Sequence, residues 1–289
     1  MTTNMQGKTV LITGGNTGIG KATAIALARM GAQVTITSRS PEKGEAALAD
    51  IRQQAGSDKV ECMRLDLASL ANIRRFAAEF LATHPRLDVL INNAGLVLSS
   101  RSETEDGFES TFGVNHLGHF LLTNLLLPRL KESAPSRIVV LASDAHRAAF
   151  GGLDFDDLQA RRSYHGMPVY CRSKLANILF AIELDNRLRG TGVTVNAVHP
   201  GVVATEFGGA DDTKGFFRWV VKLTHWAFIT PEKGARTSVH VATAPELEGV
   251  SGKYFARSKP AFSTRAAQDR GTALRLWEIS EQLTGASAV

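Results

Sequence analysis

The sequence predicts an α/β fold, a doubly wound parallel sheet in a single domain spanning residues 1–289. Short β-rich runs alternate with helix-period segments along most of the chain. Several of the β runs are almost continuously apolar, as strands buried on both faces must be. The first run also leads directly into a glycine-rich turn, TGGNTGIG, that opens an alanine-rich helix. A length of 289 residues exceeds the usual domain, yet sheets covered by helices on both faces reach it as one unit.

In chain order the candidate strands are Lys8 to Thr13, Ala32 to Ser38, Val60 to Asp66, Leu87 to Asn92, Arg137 to Ser143 and Val193 to His199. Between them lie helical stretches such as KATAIALARMG, with Gly31 placed as a C-cap, and LANIRRFAAEFLATH. Right-handed crossovers would join the strands into one parallel sheet. No internal repeat, low-complexity segment or linker interrupts this pattern. Phe207 to Thr230 is the irregular zone, where paired glycines and charges precede the aromatics Phe216, Phe217, Trp219, Trp226 and Phe228.

With 44% apolar and 21% charged residues and no run of eighteen apolar residues, the composition argues against disorder and against a membrane span. The N-terminal MTTNMQGKTVLITGG lacks the apolar run and cleavage site of a signal peptide, so a cytoplasmic location is expected. Cys62 and Cys171 are far apart and in no metal-ligand spacing, which suggests neither a disulfide framework nor a zinc site. The formal charge of +5 is scattered among acidic residues, so nucleic-acid binding is not expected, although a basic excess suits a phosphorylated cofactor. No G-x-S-x-G elbow points to a serine hydrolase. His116 and His119 share a helical segment without a carboxylate to complete a ligand set, and no metal is expected there.

Gly14, Gly18 and Gly20 fall at the first strand-to-helix turn. Glycines there let the backbone turn tightly and let a pyrophosphate approach the amides of a helix N-terminus. Asn16, Thr17 and Ile19 complete that turn, which lacks the GK[ST] ending of an ATPase loop. At the end of the second strand stands Arg39, with Lys43 close behind, where an acidic residue would select NAD(H). A guanidinium can instead hold a 2′-phosphate, so NADP(H) is the expected cofactor. Asp66, followed by Leu67, ends the third strand and could bind the adenine amino group or cap the next helix. The fourth strand ends in NNAG, and Asn92, Ala94 and Gly95 supply the small and amide-bearing residues that a close-lying ligand needs.

The helical stretch VYCRSKLANILF places Tyr170 and Lys174 one turn apart on one face. A phenol is a weak acid, with a pKa near ~10, and a neighbouring ammonium favours the phenolate. The pair can therefore move a proton to or from an alcohol or carbonyl, or can be an ordinary helix-surface pair. Ser143 ends the fifth strand at the ligand-binding edge, where its hydroxyl could bond a substrate oxygen. Asn115, polar among apolar neighbours, is either a satisfied core amide or the residue that opens a helix for a water.

TGGNTGIG, Asp66, NNAG, Asn115, Ser143, the Tyr170/Lys174 pair and the His199–Pro200–Gly201 triplet, in this order over nearly the whole chain, resemble the short-chain dehydrogenase/reductase family. YCRSKLANILF, HPGVVATE, SGKYF and LWEIS are similar to its retinol dehydrogenase-like branch. The resemblance implies a Rossmann fold and hydride transfer between nicotinamide and a carbonyl or alcohol. Tyr170 would be the general acid/base, Lys174 would lower its pKa and hold the nicotinamide ribose, Ser143 would orient the substrate oxygen, and Asn115 would support a water chain. Val198, Pro200, Gly201, Val203 and Thr205 would lie along the nicotinamide half of the cofactor. Residues 144–168 look like an insertion beside the pocket, and 207–230 like a mobile segment covering a lipophilic or aromatic substrate. The family also pairs as homodimers through the helices that would carry Asn115 and Tyr170, although the same apolar stripes would pack onto the sheet in a monomer. The opening of the sequence departs from the anchored members of that branch in having no long apolar run. A dinucleotide-binding regulator and a reductase of carbon–carbon double bonds are the alternative functions that the same motifs allow.

Overall fold

The computed structural model describes residues 4–201 and 229–286. Eight strands form one sheet in the order β3-β2-β1-β4-β5-β6-β7-β8. They are β1 (Thr9–Ile12), β2 (Gln33–Ser38), β3 (Val60–Arg64), β4 (Val89–Asn92), β5 (Ser136–Leu141), β6 (Val193–His199), β7 (Tyr254–Ala256) and β8 (Lys259–Pro260). Every pairing is parallel except β7 with β8. The strand order reverses between β1 and β4, and a ligand crevice is expected at that point, outside the C-terminal strand ends.

Local chemistry sets where the helices start and stop. α1 (Gly18–Arg29) follows the glycine turn. α2 (Pro41–Ala55) begins at the Ser40 cap with proline in its first turn and ends at Gly56 in a left-handed conformation. α3 (Leu70–Thr83) is capped by Ser69. α4 (Ser110–Phe112) passes into one π-helical segment, Gly113–Gly118, and continues as α5 (His119–Glu132). α6 (Gly166–Arg187), α7 (Pro231–Thr243), α8 (Arg265–Gln268) and α9 (Arg270–Thr284) complete the helices among the described residues. α1, α2 and α7 pack on one face of the sheet, and α3, α5, α6 and α9 on the other.

The six expected strands are all present: β6 has its expected bounds, β5 begins one residue earlier and ends two earlier than expected, and the other four lose one or two residues at one end or both. β7 and β8 were not expected, being three and two residues long, too short to show a period. The α6 segment reads as amphipathic in sequence, yet from Val169 to Leu184 it is buried on almost every side. α9 is the reason: Trp277 inserts between Phe120 of α5, at 4.8 Å between ring centroids, and Phe180 of α6, at 5.9 Å. Its indole donates to Glu281 at 2.7 Å and the Arg187 guanidinium lies 4.4 Å from its ring. The apolar stripes considered for pairing with a second copy are therefore covered by the chain's own helix. Truncation of this indole, Trp277→Ala, is expected to cost about 3–5 kcal/mol, read as a lower urea midpoint.

Candidate active site

The glycine turn is shaped by close backbone approach. Gly14 and Gly18 have φ of +63° and +53°, values that favour glycine. A Cβ on Gly20 would lie 2.3 Å from the Gly14 carbonyl oxygen and 2.5 Å from Asn93 Nδ2. Thr17, the N-cap of α1, makes no side-chain cap, and no acidic residue occupies the first turn. The free amides and positive dipole end thus face the turn, with Asn16 half-buried and Thr17 exposed beside them, while Ile19 packs into the core.

NNAG divides its labour in a way the sequence did not reveal. Asn92 is 1% exposed and donates to Thr123 Oγ1 of α5 at 2.8 Å, so its side chain belongs to the core and does not line a cofactor cleft as expected. Asn93, the missed residue, donates through Nδ2 to the carbonyls of Thr13 at 2.8 Å and Gly14 at 3.2 Å. Two adjacent amides at a strand end must point to opposite faces, which was the available signal. Ala94 packs against Gly14, and Gly95 is exposed.

Arg39 is exposed in the turn after β2, and Lys43 is exposed in the first turn of α2, donating its backbone N–H to Ser40 Oγ at 3.3 Å. Asp66 does not cap α3, because Ser69 accepts from the Asn72 amide at 3.3 Å and fills that role. Asp66 instead accepts from the Ala68 amide at 2.9 Å, half-buried at the end of β3, with Leu67 buried behind it.

The four chemistry-bearing residues come from three elements. Ser143 follows β5, accepts from the Ala145 amide at 3.1 Å, and presents its carbonyl to His146 Nδ1 at 2.6 Å. Tyr170 of α6 is 9% exposed; burial pushes its phenol up to about 12, against the opposing pull of a hydrogen bond with the Ser143 hydroxyl. Lys174 is 3% exposed, donates to the Leu141 carbonyl at 3.2 Å and lies 5.5 Å from the Tyr170 ring centroid. Its ammonium is pushed down to about 8 by burial alone. Desolvation of the phenol therefore outweighs the depression that an adjacent lysine was expected to produce. Asn177, not singled out in the sequence, donates to the same Leu141 carbonyl at 2.9 Å and fastens α6 to the end of β5.

Asn115 is the satisfied core amide. Its Oδ1 accepts from the Leu96 amide at 2.8 Å, and its Nδ2 donates to the Leu96 carbonyl at 2.9 Å and to Ser173 Oγ at 3.0 Å. It sits in the π-helical segment, where the i→i+4 ladder is broken. Gly95 joins these parts, since a Cβ there would lie 3.3 Å from both Asn115 Oδ1 and Lys174 Nζ.

His116 and His119 are buried and neutral, pushed down to about 3 and about 4, each chiefly by burial. Among the described residues no group of three His, Cys, Asp or Glu side chains is placed to hold a metal ion. No described helix is long and apolar enough to cross a membrane. Val198 is buried in β6, Pro200 and Gly201 follow it half-buried, and Gly201 has φ of +97°. Val203, Thr205 and the aromatics Phe207, Phe216, Phe217, Trp219, Trp226 and Phe228, expected to cover the substrate, lie outside the described residues. The segment 144–168 packs beside the crevice: Gln159 accepts the Glu109 amide at 2.7 Å and the Tyr164 hydroxyl donates to the Leu98 carbonyl at 3.1 Å.

A glycine-rich turn at an uncapped helix N-terminus, with a further glycine, Gly95, beside Lys174, fits a nicotinamide dinucleotide laid across the strand ends. Comparison with known proteins agrees. The pattern describing the family "short chain dehydrogenase" matches residues 8–154 and 157–214. The chain belongs to this family. It is similar to human retinol dehydrogenase 14, 48% identical over 295 residues that cover 97% of this chain and 87% of that one. Human retinol dehydrogenase 13 is 50% identical over 286 residues, covering 98% and 86%. A crystal structure of an uncharacterised protein from Mycobacterium paratuberculosis superposes with a TM-score of 0.79 at 37% identity, covering 99% of this chain and 96% of that one. This short-chain dehydrogenase is thus a retinol dehydrogenase-like oxidoreductase that uses a nicotinamide dinucleotide and a small-molecule substrate.

Gly20→Ala is expected to abolish binding of the reduced nicotinamide dinucleotide, measured by fluorescence titration, because the added methyl meets backbone. Acid should unfold the protein early. Unfolded histidines bind protons below about 6.5, while His116 and His119 resist until about 3 and about 4. Stability is therefore lost as pH falls from about 6.5 toward 4, by up to roughly 1.4 kcal/mol per pH unit for each histidine. His116→Asn should flatten that slope in urea titrations at stepped pH.

Proposed function

We propose that the protein is an NADP(H)-dependent carbonyl reductase and alcohol dehydrogenase of lipophilic or aromatic small molecules. The observation that carries this reading is the convergence of Ser143, Tyr170 and Lys174 at the C-terminal strand edge, beside Gly95 and the glycine turn. Bound nicotinamide would supply or accept a hydride at the carbon of the carbonyl or alcohol. Ser143 positions the substrate oxygen, and Tyr170 gives or takes the proton at that oxygen. Lys174 holds the face of α6 behind the phenol. A phenol kept protonated by burial carries the proton that reduction would deliver to the substrate oxygen.

Arg39, exposed directly after β2 where an acidic residue would select NAD(H), and Lys43, exposed in the first turn of α2 beside Glu42, support a 2′-phosphate on the adenosine ribose. Support for a lipophilic substrate comes from the aromatic sequence between 207 and 230, from the names of the similar retinol dehydrogenases, and from Met167, 46% exposed one turn before Tyr170. Apolar and aromatic residues near a substrate site suit a long or aromatic aldehyde or ketone.

The test is NADPH and NADH consumption with aromatic aldehydes, retinal, long-chain aldehydes and steroid ketones, followed by product analysis that separates carbonyl from alkene reduction. Tyr170→Phe should lower kcat by about 10²–10⁴ while NADPH still binds. If both proteins bind NADPH and neither consumes it with any substrate, the catalytic reading fails. Arg39→Ala should raise the KM for NADPH about tenfold or more and leave that for NADH in place, the loss of one charge-assisted hydrogen bond. Alcohol oxidation should rise about tenfold per pH unit between 6 and 8, as the phenolate fraction grows below the raised pKa of Tyr170.

A further inference from the structure

His119 is buried at 2% exposure and lies where two parts of the site meet. Its Nδ1 is 3.1 Å from the Asn115 carbonyl oxygen and its Nε2 is 2.8 Å from Thr13 Oγ1. A carbonyl can only accept, so Nδ1 must carry the proton. Nε2 is then a lone pair, and the Thr13 hydroxyl donates to it. The same Thr13 oxygen accepts the amides of Asn93 at 2.9 Å and Ala94 at 3.0 Å. With both acceptor sites engaged, the hydroxyl has one proton to donate and two acceptors in reach, the Ile91 carbonyl at 3.4 Å and the imidazole at 2.8 Å, and the shorter contact turns it toward His119.

Directed hydrogen bonds thus form two runs that meet at Asn115, one on its backbone carbonyl and one on its side-chain Nδ2. The first goes from the NNAG amides to Thr13 at the root of the glycine turn, then to His119, then to the Asn115 carbonyl in the π-helical segment. In the second, the Asn115 side-chain amide donates to Ser173 Oγ at 3.0 Å, and that hydroxyl donates to the Tyr170 carbonyl at 2.8 Å. His116, on the same segment, shows the contrast: its Nε2 bonds Ser280 Oγ of α9 at 2.8 Å, away from the crevice. Burial holds His119 neutral at physiological pH, so the fixed tautomer persists.

We propose that His119 is a positioning residue that couples the dinucleotide turn to the Tyr170 helix, its Nε2 fixing Thr13 and its Nδ1–H fixing the Asn115 carbonyl. This rests on the hydride-transfer reading for its catalytic arm only. The two nitrogens have separable duties. Asn at this position reproduces the Nδ1 donor and loses the link to Thr13; Gln reproduces the Nε2 acceptor and loses the link to Asn115.

The experiment measures NADPH affinity by fluorescence and steady-state kcat for wild type, H119N, H119Q and T13V. H119N and T13V are expected to raise the NADPH Kd by about 3–10-fold, more than they lower kcat. H119Q should do the reverse, lowering kcat by about 3–10-fold with the smaller effect on Kd. A merely structural histidine would give no such split, and equal loss of both quantities in H119N and H119Q overturns the proposal. Long-range ¹⁵N spectra of ¹⁵N-histidine-labelled wild type test it without any variant. One buried imidazole must show the Nδ1–H tautomer and shift on NADPH addition; an Nε2–H pattern for His119 overturns the proposal. Wild type that binds NADPH but reduces no carbonyl would sink the catalytic reading, while the affinity and tautomer results would still decide the role of His119.

Discussion

The Lys174 ammonium, buried with the Leu141 carbonyl as its acceptor, is the interaction on which the site depends. A lysine is rarely buried without a partner, because desolvation of its charge is costly. Here the cost is accepted in order to lay α6 flat across the end of β5, with Asn177 making a second bond to the same carbonyl. That placement fixes Tyr170 against Ser143 and brings Gly95 within contact of the lysine. Moving α6 by a fraction of a turn would leave an ammonium in the core with no acceptor, so the helix has one stable seat.

The same burial explains why charge logic read along the sequence gave the wrong sign for the phenol. A lysine at i+4 favours phenolate when both groups share a solvent-exposed face. In the folded chain both have left water, and desolvation drives Tyr170 up and Lys174 down, each toward its neutral form. Spacing along a helix was legible; the number of layers above it was not. The groups that surround the pair come from elements distant in sequence, Leu141 and Ser143 at the end of β5 and Gly95 after β4.

The alternation of strands and helices, the glycine turn and the Tyr170/Lys174 pair were legible because each has a short-range physical signature. Continuous apolar runs mark buried parallel strands, and glycines after the first of them mark a close approach. Asn92 and Asn93 were not separable, since which amide faces the core depends on the phase with which β4 enters the sheet. Asp66 was undecided between two roles until Ser69 was seen to fill one of them. The π-helical turn at Asn115 has no sequence period of its own, and the role of His119 appears only when Thr13, 106 residues away, arrives beside it.

The position of α9 in the chain also bears on how the protein is made. Tyr170 and Lys174 leave the ribosome long before Trp277 does, and until α9 is synthesised Phe120 and Phe180 have no ring between them. A nascent chain can therefore order the β1 to β3 half early, while the flank of α6 stays open. A polypeptide ending before α9 would leave the Phe120 and Phe180 rings without Trp277 between them, an apolar surface of the kind that chaperones and proteases recognise.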